Sequence, residues 1–247
     1  MKQRFCINKE GNIIERILVI SDIHGCYDEF NKLLGLVKYS SATDQLILLG
    51  DYIDRGKDNK KVVEFVRELE GYGAIALSGN HDQMFLDYVK RPHVYSNVYN
   101  YLRNGGETTL KNYIKDFESY QWHDESYRQW AEEIMLQHGD DVEFLESLPY
   151  YHETEDYIFV HAGINPHLKD WKNSGRDDFI WIRDQFLNHD HEHKQTIIHG
   201  HTPCTYLHKK HDIYFGNKKI GIDGACAYGG QLNCLEIKDG EHKQYHI

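Results

Sequence analysis

The chain has 247 residues, of which 40% are hydrophobic, 13% aromatic and 27% charged, a globular composition rather than a disordered, collagen-like or disulfide-stapled one. Lys and Arg number 28 against 39 Asp and Glu, and the resulting formal charge of −11 argues against general nucleic-acid or anionic-membrane binding, which relies on clustered positive charge. Five cysteines without a Cys-x-x-Cys pair make a disulfide framework and a thiolate zinc site poor readings. The first residues are polar and the apolar run Ile17–Ile20 is too short to cross a bilayer, so no signal peptide is expected and a reducing cytoplasm fits.

In chain order, Lys9-Glu10-Gly11-Asn12 reads as a turn, and Ile17–Ile20 as a strand covered on both faces. Phe30, Leu33, Leu34 and Val37 follow at helical spacing, with Asp28 as the expected N-cap. Leu46–Leu49 is a second aliphatic run. Val62, Phe65, Val66 and Leu69 form a second helical stripe closed by Gly71 and Gly73, and Ile75-Ala76-Leu77 is a third strand. This βαβαβ order predicts parallel strands with helices on the faces. From about 83 to 149 strand runs disappear and helical spacing takes over (Met84, Tyr88; Trp130, Ile134; Phe144, Leu145, Leu148). Apolar strands then resume at Tyr157–Val160 and Thr196–Ile198. The helical stretch therefore reads as an insertion in a single domain spanning 1–247. Ile213-Tyr214, Lys219–Ile222 and Leu232–Ile237 read as a β meander. The run Asn188-His189-Asp190-His191-Glu192-His193 reads as a solvated loop, His208 and His211 as an exposed turn, and Cys26 as a small buried residue.

The ionisable residues gather where the strands end. Ser21-Asp22-Ile23-His24-Gly25 follows the first run, Gly50-Asp51-Tyr52-Ile53-Asp54-Arg55-Gly56 the second and Gly79-Asn80-His81-Asp82 the third. His161-Ala162-Gly163 and His199-Gly200-His201-Thr202-Pro203 follow the fourth and fifth. Ligands of open α/β sheets bind beyond the carboxyl ends of the strands, so five such clusters can converge on one crevice. Asp, His and Asn without thiolates suit Mn²⁺, Fe²⁺ or Zn²⁺. Asp22 and His24, two apart on extended chain, would leave the same face and chelate one ion. Asp51 can bridge to a second ion completed by Asn80, His161 and His201. Such a pair, roughly 3.5–4 Å apart, activates a bridging water and clamps an in-line displacement. Two divalent cations, two aspartates and a hydroxide sum to about plus one, and two arginines raise that to about plus three, which attracts a phosphate dianion. Any one of these Asp or His residues is more often a cap or a turn former; five in this order are not.

The ordered set Asp22-x-His24-Gly25, Gly50-Asp51-x-x-Asp54-Arg55-Gly56, Gly79-Asn80-His81-Asp82, His161-Ala162-Gly163 and Gly200-His201-Thr202 resembles the phosphoprotein phosphatase (PPP) family of calcineurin-like metallophosphoesterases, in particular its small bacterial and phage members. The resemblance spans roughly Ile17 to Ile237. It implies an α/β fold, a four-layered α/β/β/α sandwich, with two divalent metal ions, commonly manganese, with iron or zinc as alternatives. It implies Asp22, His24 and Asp51 as ligands of one metal and Asp51, Asn80, His161 and His201 of the other. His81 matches the general acid and Asp54 the carboxylate that orients it. Arg55 and Arg183, the latter in a Trp-x-Arg spacing after Trp181, match phosphate clamps, with Asn80 and Tyr228 also on the substrate side. Ser21 stands where the family usually has Gly. Pro203 stands where the wider superfamily often has another histidine, and His199 is read as a packed or supporting group rather than the ligand.

The implied enzyme is a metal-dependent phosphoric ester hydrolase acting on phosphoserine and phosphothreonine proteins. The alternative is a dinucleoside polyphosphate (diadenosine tetraphosphate) hydrolase of the same family, against which the intact Asp54-Arg55 pair argues. A catalytically dead phosphate-binding fold would require loss of a ligand or of the acid, and every matched position is present. The implied partners are a phosphorylated protein or a small phosphoanhydride, not nucleic acid or membrane. The helical stretch leaves the sheet directly after the acid-bearing cluster and is expected to shape the substrate groove.

Overall fold

Side chains alternate across a strand, so each aliphatic run supplies two apolar layers at once. The computed structural model describes residues 6–7, 13–117 and 124–247, and the expected turn at 9–12 lies outside them. The strands of the first half are β1 (Cys6–Ile7), β2 (Ile13–Ile14), β3 (Arg16–Ile20), β4 (Asp44–Leu48) and β5 (Ile75–Ala76). Helices α1 (Tyr27–Leu36) and α2 (Asn59–Gly71) connect β3, β4 and β5. A helical stretch follows: α3 (Asn80–Lys90), α4 (Tyr95–Arg103), α5 (Glu107–Tyr113), α6 (Asp124–Gln137) and α7 (Gly139–Ser147). The second half carries β6 (Tyr151–Glu153), β7 (Tyr157–Val160), α8 (Arg176–Trp181), α9 (Asp184–Leu187), β8 (Thr196–His199) and α10 (Cys204–His208). It ends on β9 (Tyr214–Phe215), β10 (Lys219–Gly221), β11 (Asn233–Lys238) and β12 (Glu241–His246).

Two five-stranded sheets result, ordered β12-β11-β3-β4-β5 and β6-β7-β8-β10-β9. β3, β4 and β5 are parallel, as the βαβαβ pattern predicts, and so are β7, β8 and β10. The remaining pairings in the two sheets are antiparallel, which makes both of them mixed. Val19, Ile47, Phe159, Ile198, Ile220 and Leu235 interlock between the sheets. The alternate residues Leu18, Ile20, Leu46 and Leu48 face a layer containing Phe30, Val62, Phe85, Tyr101, Trp130 and Leu145 from α1 to α7. Ile158, Val160 and Ile197 face Phe179, Ile180 and Phe186 of α8 and α9. The layers therefore run helix, sheet, sheet, helix. Among the described residues no helix is long and apolar enough to cross a membrane.

Three local expectations change. Asp28 lies within the first turn of α1, whose N-cap is Cys26, and its carboxylate pairs with Lys57 Nζ at 2.9 Å. Helix α3 begins at Asn80, because Asp82 accepts the Gly79 N–H at 2.9 Å, so the third polar cluster forms the first turn of a helix. The C-terminal strands do not form one meander. β9 and β10 join the second sheet while β11 and β12 join the first, where β11 pairs with β3 (Leu235 opposite Val19) and buries Leu235 and Ile237 between the sheets.

Candidate active site

The carboxyl ends of β3, β4, β5, β7 and β8 bring the five polar clusters together. Asp22, His24, Asp51, Asn80, His81, His161 and His201 are all buried there. The backbone is bent hard to do so. Asp22, His24, Asp51, Asp54, Arg55 and His201 all have φ between +45° and +72°, half of the twelve non-glycine residues with positive φ among those described. Strained backbone concentrates where a fixed constellation over-determines it. Asp22 and His24 consequently do not project from an extended chain; two left-handed turns aim them inward. Glycine is needed where backbone meets these side chains. A Cβ on Gly79 would lie 2.2 Å from Asp51 Oδ1, and one on Gly200 would lie 2.1 Å from Asp22 Oδ2.

The hydrogen-bonding pattern fixes which atoms remain available. His24 Nδ1 is 2.6 Å from the Ile53 carbonyl and His161 Nδ1 is 2.8 Å from the Leu49 carbonyl, so each ring donates there and turns the lone pair of Nε2 inward. His201 likewise meets the Trp181 carbonyl, and its Nε2 is buried without a partner. His161 Nε2 lies 3.0 Å from Asn80 Oδ1 and 3.5 Å from Asp51 Oδ1, while His24 Nε2 lies 3.4 Å from Asp51 Oδ2. Acceptors thus face acceptors. Two groups of three donor atoms, on His24, Asp51 and His81 and on Asp51, His161 and His201, each fit within 4.8 Å. Asp22 is in neither group, and it accepts the backbone N–H of His201, a member of the second, at 3.0 Å. Burial pushes His24, His81, His161 and His201 toward the neutral imidazole, and burial with the Asp22 charge pushes Asp51 up. Neutral imidazoles, an amide oxygen and crowded carboxylates form a donor set that fits divalent cations of intermediate hardness.

His81 Nδ1 donates to Asp54 Oδ2 at 2.7 Å, deep beneath the surface. Burial, opposed by hydrogen bonds, raises the Asp54 carboxyl to about 7. The Arg55 guanidinium contacts Nε2 of His24 and, at 2.7 Å, Nε2 of His81, and lies 5.0 Å from the centre of the exposed Tyr228 ring. Arg183 donates to Thr202 Oγ1 at 3.3 Å. The two arginines and Tyr228 line a cleft of about 1030 Å³, together with His24, His201 and Thr202. The cleft runs on over residues 184–190 and 203–219, and among the described residues of 83–149 none lines it. The helical stretch packs against Asp54 and Arg55, and the Arg55 N–H donates to the Gly105 carbonyl at 3.3 Å.

Two carboxylates escaped the sequence reading of roles. Asp82 accepts the N–H groups of Asp51, Tyr52 and Gly79 at 2.9, 3.1 and 2.9 Å and so clamps the second cluster to the third. Asp223 lines the cleft just beyond β10 and accepts the Ala225 N–H at 2.8 Å, bracing the turn that carries Tyr228. Its place in Gly221-Ile222-Asp223-Gly224 was the same strand-end signal in a sixth position. His199 packs against Phe186 at 5.2 Å between ring centroids and belongs to neither donor group. The histidine-rich run is not wholly solvated, because His191 is buried against the Lys218 carbonyl at 3.2 Å; among the described residues it holds no group of three ligands. Cys26 is half-buried rather than buried, and a hydrogen bond from the Cys226 thiol holds its pKa below the ordinary value.

Similar proteins share this arrangement's setting. The family model described as calcineurin-like phosphoesterase matches residues 15–232. Serine/threonine-protein phosphatase 2 of Salmonella typhimurium is 30% identical over 238 residues, covering 92% of this chain and 95% of the relative. The asymmetrical bis(5'-nucleosyl)-tetraphosphatase PrpE of Oceanobacillus iheyensis is 26% identical, covering 92% and 90%. A solved structure provisionally described as a diadenosine tetraphosphatase superposes with a TM-score of 0.63 at 20% identity, covering 95% of each chain, a likeness of fold. With the family match extending from β3 to the threshold of β11, the chain belongs to the calcineurin-like phosphoesterases and is a phosphoric ester hydrolase.

Proposed function

We propose that this hydrolase removes phosphate from phosphoserine and phosphothreonine proteins. The observation that carries the reading is Arg55, whose guanidinium reaches from His24 to His81 and so occupies the position from which it can hold a phosphoryl group between a metal face and an acid. The full-length similarity to a serine/threonine-protein phosphatase supports the same substrate class. Asp22, His24 and Asp51 would hold one divalent cation and Asp51, Asn80, His161 and His201 a second, manganese first among the metals that such donors accept, with iron or zinc next. When bound, the pair supplies Lewis acidity at a phosphoryl oxygen and lowers the pKa of water. Arg55 and Arg183 would grip phosphoryl oxygens and fix the ester for in-line displacement, with Asn80 and Tyr228 beside them. An incoming phosphate that takes the Arg55 guanidinium exchanges its contact with His81, freeing Nε2 to take up a proton from solvent. His81 delivers that proton to the leaving seryl or threonyl oxygen while Asp54 Oδ2 holds Nδ1–H and stabilises the imidazolium.

A dinucleoside polyphosphate is the second reading, favoured by a cleft that continues well past the arginines and by the full-length similarity to an asymmetrical tetraphosphatase. Turnover of a phosphoserine peptide against diadenosine tetraphosphate, both with Mn²⁺, separates the two. The larger kcat/KM is expected for the peptide, and a large advantage for the dinucleotide would reverse the order. His81→Asn tests the acid: kcat on the phosphoserine peptide should fall roughly 10²–10⁴-fold with bound metal unchanged. The loss should shrink on p-nitrophenyl phosphate, whose leaving group needs little protonation. Equal losses on the two esters would remove His81 from this role.

A further inference from the structure

Asp54 has no direct access to the cleft, and its grip on His81 depends on what holds its other oxygen. That support comes from 55 residues further along the chain. Thr109, on α5, is buried beside Asp54, and its hydroxyl makes two hydrogen bonds to that one residue: it accepts the Asp54 N–H at 3.0 Å and donates to Asp54 Oδ1 at 2.6 Å. The only hydroxyl proton is spent on Oδ1, so Oδ2 is left to take Nδ1–H of His81 at 2.7 Å. The Tyr101 hydroxyl of α4 is buried nearby without a hydrogen-bond partner of its own among the described residues.

The surroundings of Thr109 are built to keep it there. The Gly105 carbonyl, in the turn between α4 and α5, accepts the Arg55 N–H, and with φ at +100° Gly105 lets the Arg55 side chain pass, since a Cβ there would lie 3.0 Å from Arg55 Cγ. Asn59 Nδ2 donates to Thr108 Oγ1 at 3.2 Å, and Asn112 Nδ2 donates to the Lys57 carbonyl at 3.0 Å. α5 is thus fastened to the 54–60 segment at Asp54, Lys57 and Asn59.

We propose that Thr109 is a positioning residue for proton delivery: its hydroxyl fixes the Asp54 carboxylate so that His81 presents Nε2 to the leaving group, and the helical stretch thereby aims the acid. This rests on His81 being the leaving-group acid. Deprived of the hydroxyl, the carboxylate loses its orientation and a partner for one buried oxygen, and the imidazole loses the anchor that selects its tautomer.

Thr109→Val keeps the shape and removes both hydrogen bonds; Thr109→Ser keeps both. In the full chain loaded with Mn²⁺, Thr109→Val should lower kcat on a phosphoserine peptide at least about tenfold and on p-nitrophenyl phosphate less than about threefold, because only the poor leaving group needs the proton. Thr109→Ser should stay within about threefold of the parent on both esters, and bound metal should be the same in all three proteins. In chelator-treated protein, the hydrogen-bonded proton resonance of His81 Nδ1–H, identified by its loss in His81→Asn, should persist in Thr109→Ser and vanish or move in Thr109→Val. Should the valine fail to fold, Thr109→Ala, which lacks both γ substituents, carries the same expectations. If His81→Asn loses activity selectively on the peptide but Thr109→Val loses it equally on both esters, or not at all, the positioning role is overturned and the acid stands. If His81→Asn itself shows no selectivity, the acid falls and the positioning role falls with it.

Discussion

Arg183 is the less committed of the two arginines. Arg55 is held between two imidazoles over an aromatic ring, whereas Arg183 is exposed at the N-cap of α9 and touches only the Thr202 hydroxyl among the hydrogen bonds described for its side chain. A side chain with one weak neutral contact can turn to an anion at little cost, and a guanidinium on a phosphoryl oxygen forms a charge-assisted hydrogen bond. Arg183→Ala should therefore weaken competitive inhibition by inorganic phosphate by roughly 10–100-fold, the equivalent of about 1.5–3 kcal/mol for a hydrogen bond to a charged group. Stability should scarcely change, because the residue is at the surface. The check is the inhibition constant with p-nitrophenyl phosphate as substrate. An unchanged constant would leave the clamp to Arg55 alone.

At the scale of elements, α9 is four residues long and would not persist by itself. Lys219 of β10 holds it, with Nζ donating to the Phe186 and His189 carbonyls at 2.5 Å and lying 4.7 Å from the centre of the Phe186 ring. A cation at a helix C-terminus also opposes the dipole there. Lys219→Met should cost about 1–3 kcal/mol, read as a lower urea midpoint, and should loosen phosphate inhibition less than Arg183→Ala does, since it acts on the frame of that arginine and not on its charge. The strands most legible from sequence were those buried on both faces, where Ile17–Ile20 and Leu46–Leu49 run without a polar break. β12, an exposed edge strand, carries no such run (Glu241 to His246) and was missed. Periodicity also says nothing of which sheet a strand joins, so the meander expected of β9, β10 and β11 divides between two sheets. The same limit applies to the site. Strand-end positions give away Asp22, His24, Asp51, Asn80, His161 and His201, because each lies within a few residues of an aliphatic run. Nothing local marks Thr109, whose partner is distant in sequence, on another element.

Considered as a whole, the molecule hangs its six candidate ligands from both sheets. Asp22, His24, Asp51 and Asn80 follow strands of the first sheet, while His161 and His201 follow strands of the second. The apolar layer of Val19, Ile47, Phe159, Ile198 and Leu235 holds the sheets together below this seam. Above it, buried carboxylates crowd one another: burial and the Asp22 charge push both Asp51 and Asp223 well above the ordinary carboxylate range. Cations bound there would relieve that repulsion and tie one sheet to the other, so metal should stabilise the fold as well as serve the chemistry. Free Mn²⁺ at about 100 times the dissociation constant should add about 2.7 kcal/mol per site to the unfolding free energy, if the unfolded chain binds none. Urea unfolding with Mn²⁺ and with chelator measures that gain, and elemental analysis should find two ions per chain. His201→Ala removes a ligand from the second sheet only. It should leave one ion and about half of the stabilisation, with amide exchange in β7 and β8 no longer slowed by metal while β3 and β4 stay protected. Two ions still bound after His201→Ala would remove His201 from the ligands, and a stability indifferent to Mn²⁺ would mean that the seam between the sheets is closed by packing alone.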